Sequence, residues 1–293
     1  MSLYLKLGCT NDFSGEPYAP QAREILRLIR SKAPEEDIDV QIQAINELAK
    51  EQGMIDPSVP AIDAYTTCVV FAGSKSLSHI LSYIERCKDR LLSISASGRA
   101  GQRQIIESVV QYWTEKPGIA VNIVDKLLNY TILSPLAVIE WAFVDKLERG
   151  KILTQSYVYE MIAGTTNKVS NRVRQIVMAR NQPGMGPEQL KLLDPTLEKE
   201  RQDMVDLFTV IEDALRGIAD GSADAMAESQ DQEEEGHTLL RAWGSRWLRV
   251  FRRKMAVEQA WIQEMLANPP QVMDDVEIKN GDGADGEADM KIE

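Results

Sequence analysis

The sequence predicts an all-α protein of antiparallel helical hairpins, stacked as a degenerate HEAT-like solenoid of the ARM-repeat superhelix type. Three observations predict it. Apolar residues recur at three- and four-residue spacing through most of the chain. No run alternates apolar and polar residues between hairpin signals. Short Pro, Gly and Ser joints separate the periodic stretches, which makes successive helices antiparallel neighbours. No sharp fixed period is present, so the repeats must be degenerate.

Residues 1–20 contain Gly8, Gly15, Pro17 and Pro20 with little periodicity and read as a connector cut from a longer chain. Residues 21–32 form a helix with Ile25, Leu28 and Ile29 on one side and Arg23, Arg27 and Arg30 interspersed; it ends before Pro34, because a residue preceding proline disfavours helix. Residues 39–52 repeat the pattern with Val40, Ile42, Ile45 and Leu48, and Gly53 is the stop. Pro57 and Pro60 break the chain before an apolar helix over 62–72, closed by Gly73, and one helix is expected over 74–93 with Leu77, Ile80, Leu81, Ile84 and Leu91 inward. The joint SASGRAGQ follows.

Residues 103–148 are read as the spine, three helices too apolar to stand alone. Ile105, Ile106, Val109, Tyr112 and Trp113 share one face of the first. In the second, over 119–130, the polar Asn122, Asp125, Lys126 and Asn129 fall on one narrow strip. The third, over 135–147, carries Leu136, Val138, Ile139, Trp141, Phe143, Val144 and Leu147 almost all round. Lys116, Pro117 and Gly118 joint the first two. Ser134 then Pro135 starts the third, because serine caps an orphan N–H and proline at the first helical position loses no needed donor. Gly150 marks its end. Helix is expected again over 154–180, then a Pro/Gly loop over 181–187, and helix resuming from Pro195 to Leu215. Together, 21–219 form the repeat domain, 220–236 an acidic disordered loop, 237–267 a C-terminal helix packed on the repeats, and 268–293 an acidic disordered tail.

The composition, 44% hydrophobic, fills a sizeable core, and the net charge of −12 is localised. Residues 220–236 hold seven acids and no base, and 268–293 hold eight acids and two bases, so the rest is near neutral. Such a tail is a solubiliser or an interaction arm. Cys9, Cys68 and Cys87 are odd in number and widely spaced, which indicates neither a disulfide framework nor zinc and fits a reducing compartment. The N-terminus lacks signal-peptide character and no run is long enough to span a membrane, so a soluble intracellular chain is expected.

Nothing in the sequence assembles a catalytic, cofactor or metal site. His79 and His237 are isolated, and His79 is read as a hydrogen-bonded structural residue. Gly73-Ser74-Lys75-Ser76 lacks the leading strand and glycine of a phosphate loop. Asp274 and Asp275 follow Pro269-Pro270 with nothing to hold them in geometry, and the cysteines are read as small buried apolar residues. One surface could bind something: residues 241–254 hold six bases and no acid, with Arg246, Arg249, Arg252 and Arg253 opposite the apolar Leu240, Trp243, Trp247, Val250 and Phe251. That face is either a solvated helix surface or a site for phosphates or an acidic partner. Trp113, Trp141, Trp243, Trp247 and Trp261 are read as core rather than as base-stacking platforms.

Residues 108–143 resemble the C-terminal domain of the large subunit of the nuclear cap-binding complex. The matching positions are Trp113, Pro117, Ala120, Val121, Val124, Asp125, Lys126, Ile132, Ala137, Val138, Trp141 and Phe143. The segment SKSLSHILS and residues 157–174 are similar to that family too, so the resemblance spans roughly 20–265, with relatives carrying a longer charged excursion near 181–187. It implies a repeat domain like the middle domain of initiation factor 4G, third of three in a fungal-like chain. It also implies a non-enzymatic nuclear scaffold, shuttling to the cytoplasm, whose partners are the small RNA-recognition-motif subunit that grips the m7G cap of RNA polymerase II transcripts, capped RNA indirectly, and splicing, export, 3′-end-processing and decay adaptors. The cap-contacting aromatics of that family belong to the small subunit, so no cap-binding residue is assigned here. The alternatives are another helical-repeat adaptor, of translation initiation or nonsense-mediated decay, and an all-α enzyme using carboxylates.

Overall fold

The computed structural model describes residues 18–182, 184–222 and 234–268. Eleven α-helices lie among them: α1 (Ala19–Ser31), α2 (Glu35–Glu51), α3 (Ser58–Ala72), α4 (Leu77–Arg86), α5 (Lys88–Ala96), α6 (Arg99–Tyr112), α7 (Pro117–Asn129), α8 (Pro135–Glu140), α9 (Ser156–Arg180), α10 (Pro187–Ala219) and α11 (Glu234–Ala267). A π-helical turn, Trp141–Asp145, extends α8, and a 3-10 segment, Glu148–Thr154, leads into α9. No strand occurs among the described residues.

The helices stack in two rows. Helices α1, α3, α6, α8 and α10 touch in succession along one row, and α4, α7, α9 and α11 along the other; α3·α4, α6·α7, α8·α9 and α10·α11 pair across. This is the expected all-α helical-repeat solenoid. A side chain in either row is covered by its own hairpin partner and by the next repeat, so one continuous core runs from Tyr18 to Ile262.

Local chemistry sets the joints. Lys32 closes α1 in the left-handed conformation (φ 57°), with Ala33 N–H on Leu28 O at 3.0 Å. Gly53 (φ 69°) does the same for α2, as expected of it, with Met54 N–H on Ala49 O at 3.1 Å. Ser134 caps α8 by accepting the Ala137 N–H at 3.3 Å, and its own N–H and hydroxyl both donate to Gln102 Oε1 at 2.8 Å. Gly73 closes α3 where the next helix crosses: a Cβ there would lie 2.5 Å from the Ile80 Cα. The sequence GSKS is thus an α–α turn, and Ser76 caps α4 with its hydroxyl 2.8 Å from His79 Nδ1. His79 is the structural histidine expected.

Several expectations are corrected. The most enclosed helix is α3, buried at every position from 60 to 70, rather than any helix of 103–148. The single helix expected over 74–93 is broken at Cys87 (φ −95°, ψ 11°). The break turns α5 so that Arg90 reaches Glu35 at 2.5 Å and Asp39 at 2.6 Å on α2, and α2 itself begins at Glu35 rather than at 39. Helix α6 starts at Arg99, inside the presumed joint, directly after Gly98 (φ 134°). Val144, read as inward, is 61% exposed, because the π turn inserts a residue (Lys146 N–H on Trp141 O, 3.0 Å) and rotates the register. Val40, at 60%, is likewise outside.

Helix α10 begins at Pro187, not Pro195, which sits inside it. The Gly186 N–H on Gln189 Oε1 (2.9 Å) and the Arg180–Asp194 ion pair (2.7 Å) hold the early turns, so the single backbone bond lost at Pro195 does not end the helix. Helix α11 begins at Glu234, three residues before position 237. Residues 1–17 of the connector, 223–233 of the acidic loop and 269–293 of the tail, with Asp274 and Asp275, lie outside the described residues.

Candidate interaction surfaces

Helix α11 is anchored by aromatics on one side. Trp247 (4% exposed) meets Phe143 edge-on at 6.5 Å and Tyr159 at 5.0 Å, while Phe251 lies 6.3 Å from Trp247. Gly244 lets α11 approach α10, since a Cβ there would fall 2.7 Å from Ile218 Cγ2. Farther along, Glu258, nearly buried, accepts from Arg174 Nε at 2.7 Å, and that guanidinium lies 4.5 Å above the Trp261 ring. Asn181 Nδ2 donates to Met265 O at 2.7 Å, fixing the end of α11 against α9.

The four arginines singled out from the sequence are all exposed but have different surroundings. Arg252 turns toward α10 and donates to Glu212 Oε1 at 2.8 Å; that hydrogen bond holds the Glu212 carboxyl below the usual carboxylate range. Arg246 lies 5.7 Å over the half-buried Trp243 ring, so Trp243 sits beside the arginines rather than opposite them. Arg249 and Arg253 project into solvent, and no carboxylate among the described residues pairs with them. At 100° per residue, Arg246, Arg249 and Arg253 share about 100° of helix surface with Val250 and Val257. Those valines are 41% and 53% exposed, and Val250 had been read as inward. The outer stripe of α11 is therefore both basic and apolar, which the sequence reading missed because it placed Val250 on the apolar stripe and did not weigh Val257.

A second feature lies where the π turn meets α6. Glu107, 8% exposed, accepts from Trp141 Nε1 at 2.8 Å, from Lys146 Nζ at 2.7 Å and from Gln111 Nε2 at 2.7 Å. Arg103 approaches Asp145 at 3.3 Å, and burial lifts the Asp145 carboxyl above its ordinary range against the pull of that guanidinium. Beside this network opens a groove of about 290 Å³ lined by Thr114, Pro117, Lys146, Lys151, Gln155 and Tyr157. Lys146 is paired with Glu107 at its edge, while Lys151 lines it beside Tyr157. Among the described residues, no group of three or more His, Cys, Asp or Glu could hold a metal ion, and no helix is long and apolar enough to cross a membrane.

Cys68 is fully buried and donates to Ala22 O at 3.3 Å; burial pushes its thiol up, as it does that of Cys87. Both are therefore held as unreactive thiols, while Cys9 lies outside the described residues. Of the tryptophans, Trp141 and Trp247 are core, whereas Trp113, Trp243 and Trp261 are half-buried.

The positions that carried the family resemblance are mostly interior. Ala120, Val124, Ile132, Ala137, Val138, Trp141 and Phe143 are buried. Asp125 ties α7 to α9 through Lys168 at 2.9 Å, and the Lys126 ammonium lies 4.3 Å over the Tyr130 ring.

Two rows of stacked helices define a helical-repeat protein. The family described as MIF4G like matches residues 12–260, and the chain belongs to it. It is similar to nuclear cap-binding protein subunit 1 of Schizosaccharomyces pombe, 26% identical over 161 residues, which are 55% of this chain and 19% of that protein. The protein of the same name from Anopheles gambiae is 25% identical over 57% of this chain and 21% of its own length. That of Mus musculus is 24% identical over 39% and 14%. The matched stretch thus spans about a fifth or less of these relatives.

Proposed function

We propose that this chain is the third helical-repeat domain of a nuclear cap-binding complex large subunit and acts as a non-enzymatic scaffold. In this reading it supports the small RNA-recognition-motif subunit that binds the m7G cap, meets capped RNA only indirectly, and presents surfaces to splicing, export and decay adaptors, in the nucleus and on shuttling to the cytoplasm. Residues 21–219 and the helix over 237–267 form the scaffold body. The observation that carries the reading is the similarity to proteins named nuclear cap-binding protein subunit 1, together with membership of the MIF4G-like family.

The test is retention on m7G resin. The chain should be retained when the small subunit is present and lost when it is omitted or when free cap analogue competes. Direct retention of this chain alone would overturn the placement of the cap site on the partner. Failure to co-purify with the small subunit would overturn the scaffold role assigned to this domain.

A further inference from the structure

The outer stripe of α11 runs farther than its arginines. Leu239, 57% exposed, falls on the same arc as Arg246, Arg249, Val250, Arg253 and Val257, and the exposed Ala242 and Ala260 lie on it too. Apolar side chains scattered singly over a surface need no explanation. Among the described residues, however, nine large apolar side chains are exposed, and three of them share this one arc. Between Gly236 and Gln263 the helix carries a single acid, Glu258, which is turned inward to Arg174 at 2.7 Å. The arc from Leu239 to Ala260, about 32 Å long at about 1.5 Å per residue, therefore offers three cations and no carboxylate. We propose that this stripe docks an acidic amphipathic helix of a partner protein.

The register defines the partner. Arg246 and Arg253 are seven residues apart, as are Val250 and Val257, so basic and apolar side chains alternate along the arc at half-heptad steps. A helix that repeats an apolar residue every seven positions, with Glu or Asp three or four residues on, sets leucines against the valines and carboxylates against the guanidiniums. Arginine suits this contact, because its planar fork takes a carboxylate through two parallel hydrogen bonds. Ala242 and Ala260 let the two backbones come to the short side of the usual interaxial range of about 8–10 Å. Single-stranded RNA fits less well. The arc has no outward aromatic on which a base could stack, since Trp247 and Phe251 are buried and Trp243 lies under Arg246. A membrane surface fits less well too, because the broad apolar face of α11 is already packed on α9 and α10. The inference goes beyond the cap-complex reading and does not rest on it.

The experiment uses the full chain and two fluorescein-labelled synthetic peptides, measured by fluorescence anisotropy at low salt. One is a helix of three heptads with leucine and glutamate in that register; the other has the same composition in scrambled order. The first should bind about tenfold more tightly, since only it keeps the apolar contacts in register. Arg249→Glu with Arg253→Glu should weaken it about tenfold, and Val250→Ala with Val257→Ala about fivefold. Each variant should keep the native circular dichroism and melting temperature, because all four side chains are exposed. Lys75→Glu with Lys116→Glu makes the same charge change in the α3–α4 and α6–α7 joints and should leave the affinity unchanged. No binding of the first peptide, equal binding of both, or equal weakening by the arginine and lysine pairs would overturn helical docking. An oligouridine that binds more tightly than the first peptide, and is lost with Arg249→Glu and Arg253→Glu, would place RNA on the stripe instead. A dimer in light scattering that the arginine reversals dissociate would place a second copy there.

Discussion

Replacing Glu107 tests the polar knot that fixes the π turn against α6. The Glu107 carboxylate is 8% exposed and is the acceptor of the Trp141 indole N–H, itself within a residue that is 2% exposed. In Glu107→Ala that N–H is left buried without an acceptor, at a cost of about 1–3 kcal/mol. Lys146, whose side chain is 28% exposed, can turn toward water, which adds only about 0–1 kcal/mol. The sum is about 3 kcal/mol, or roughly 6–12 °C in melting temperature for a chain of this size. Glu107→Gln keeps one oxygen for the indole but turns an amide N–H2 toward Lys146 and Gln111, whose donors lose Oε1 and turn to water, so about 1 kcal/mol is expected. In a Trp141→Phe background the Glu107→Ala cost should shrink by about 1–2 kcal/mol, since the orphaned donor is gone. Urea unfolding followed by circular dichroism measures all five proteins, wild type included. A Glu107→Ala chain within about 0.5 kcal/mol of wild type, or one no worse than Glu107→Gln, would refute the knot.

Gly244→Ala places a Cβ 2.7 Å from Ile218 Cγ2 and should cost about 1–3 kcal/mol, whereas Gly236→Ala on the same helix meets nothing within 4 Å and should be neutral or stabilising; thermal melts of the pair separate a close crossing from helix propensity. Lys32→Gly relieves a left-handed non-glycine cap and should stabilise by about 0.5 kcal/mol in the same assay. Asp39 is held below the usual carboxylate range by its hydrogen bond from Arg90, so its contribution is present above about pH 4 and is lost as pH falls through the depressed folded value. Its side chain is half exposed, so Asp39→Asn should cost only about 0.5 kcal/mol at pH 7, and that difference should vanish near pH 2.5 in paired urea titrations.

The helices, their order and most of their inward residues were legible because burial on a helix leaves a 3.6-residue signature. Ile25, Ile45, Ile80, Ile105 and Trp141 were placed correctly by spacing alone. The misplacements have a common cause. Cys87 and the Trp141–Asp145 turn depart from regular helix, and helix continues through Pro195, because of contacts with residues distant in sequence or local bonding that no apolar period records. Val250 was misjudged because an apolar residue on a long helix can equally face water. The arginine cluster was found from charge, but which arginines are free depended on Glu212 and Trp243.

By itself, then, the sequence determined an all-helical repeat protein with a basic C-terminal helix, because periodicity, capping residues and charge are local properties. Only the tertiary structure decided that α3 is the enclosed helix, that Glu107 and Trp141 form one buried knot, and that Arg249 and Arg253 are left over. Those outcomes depend on which side chains the stacking of distant hairpins brings within hydrogen-bonding reach.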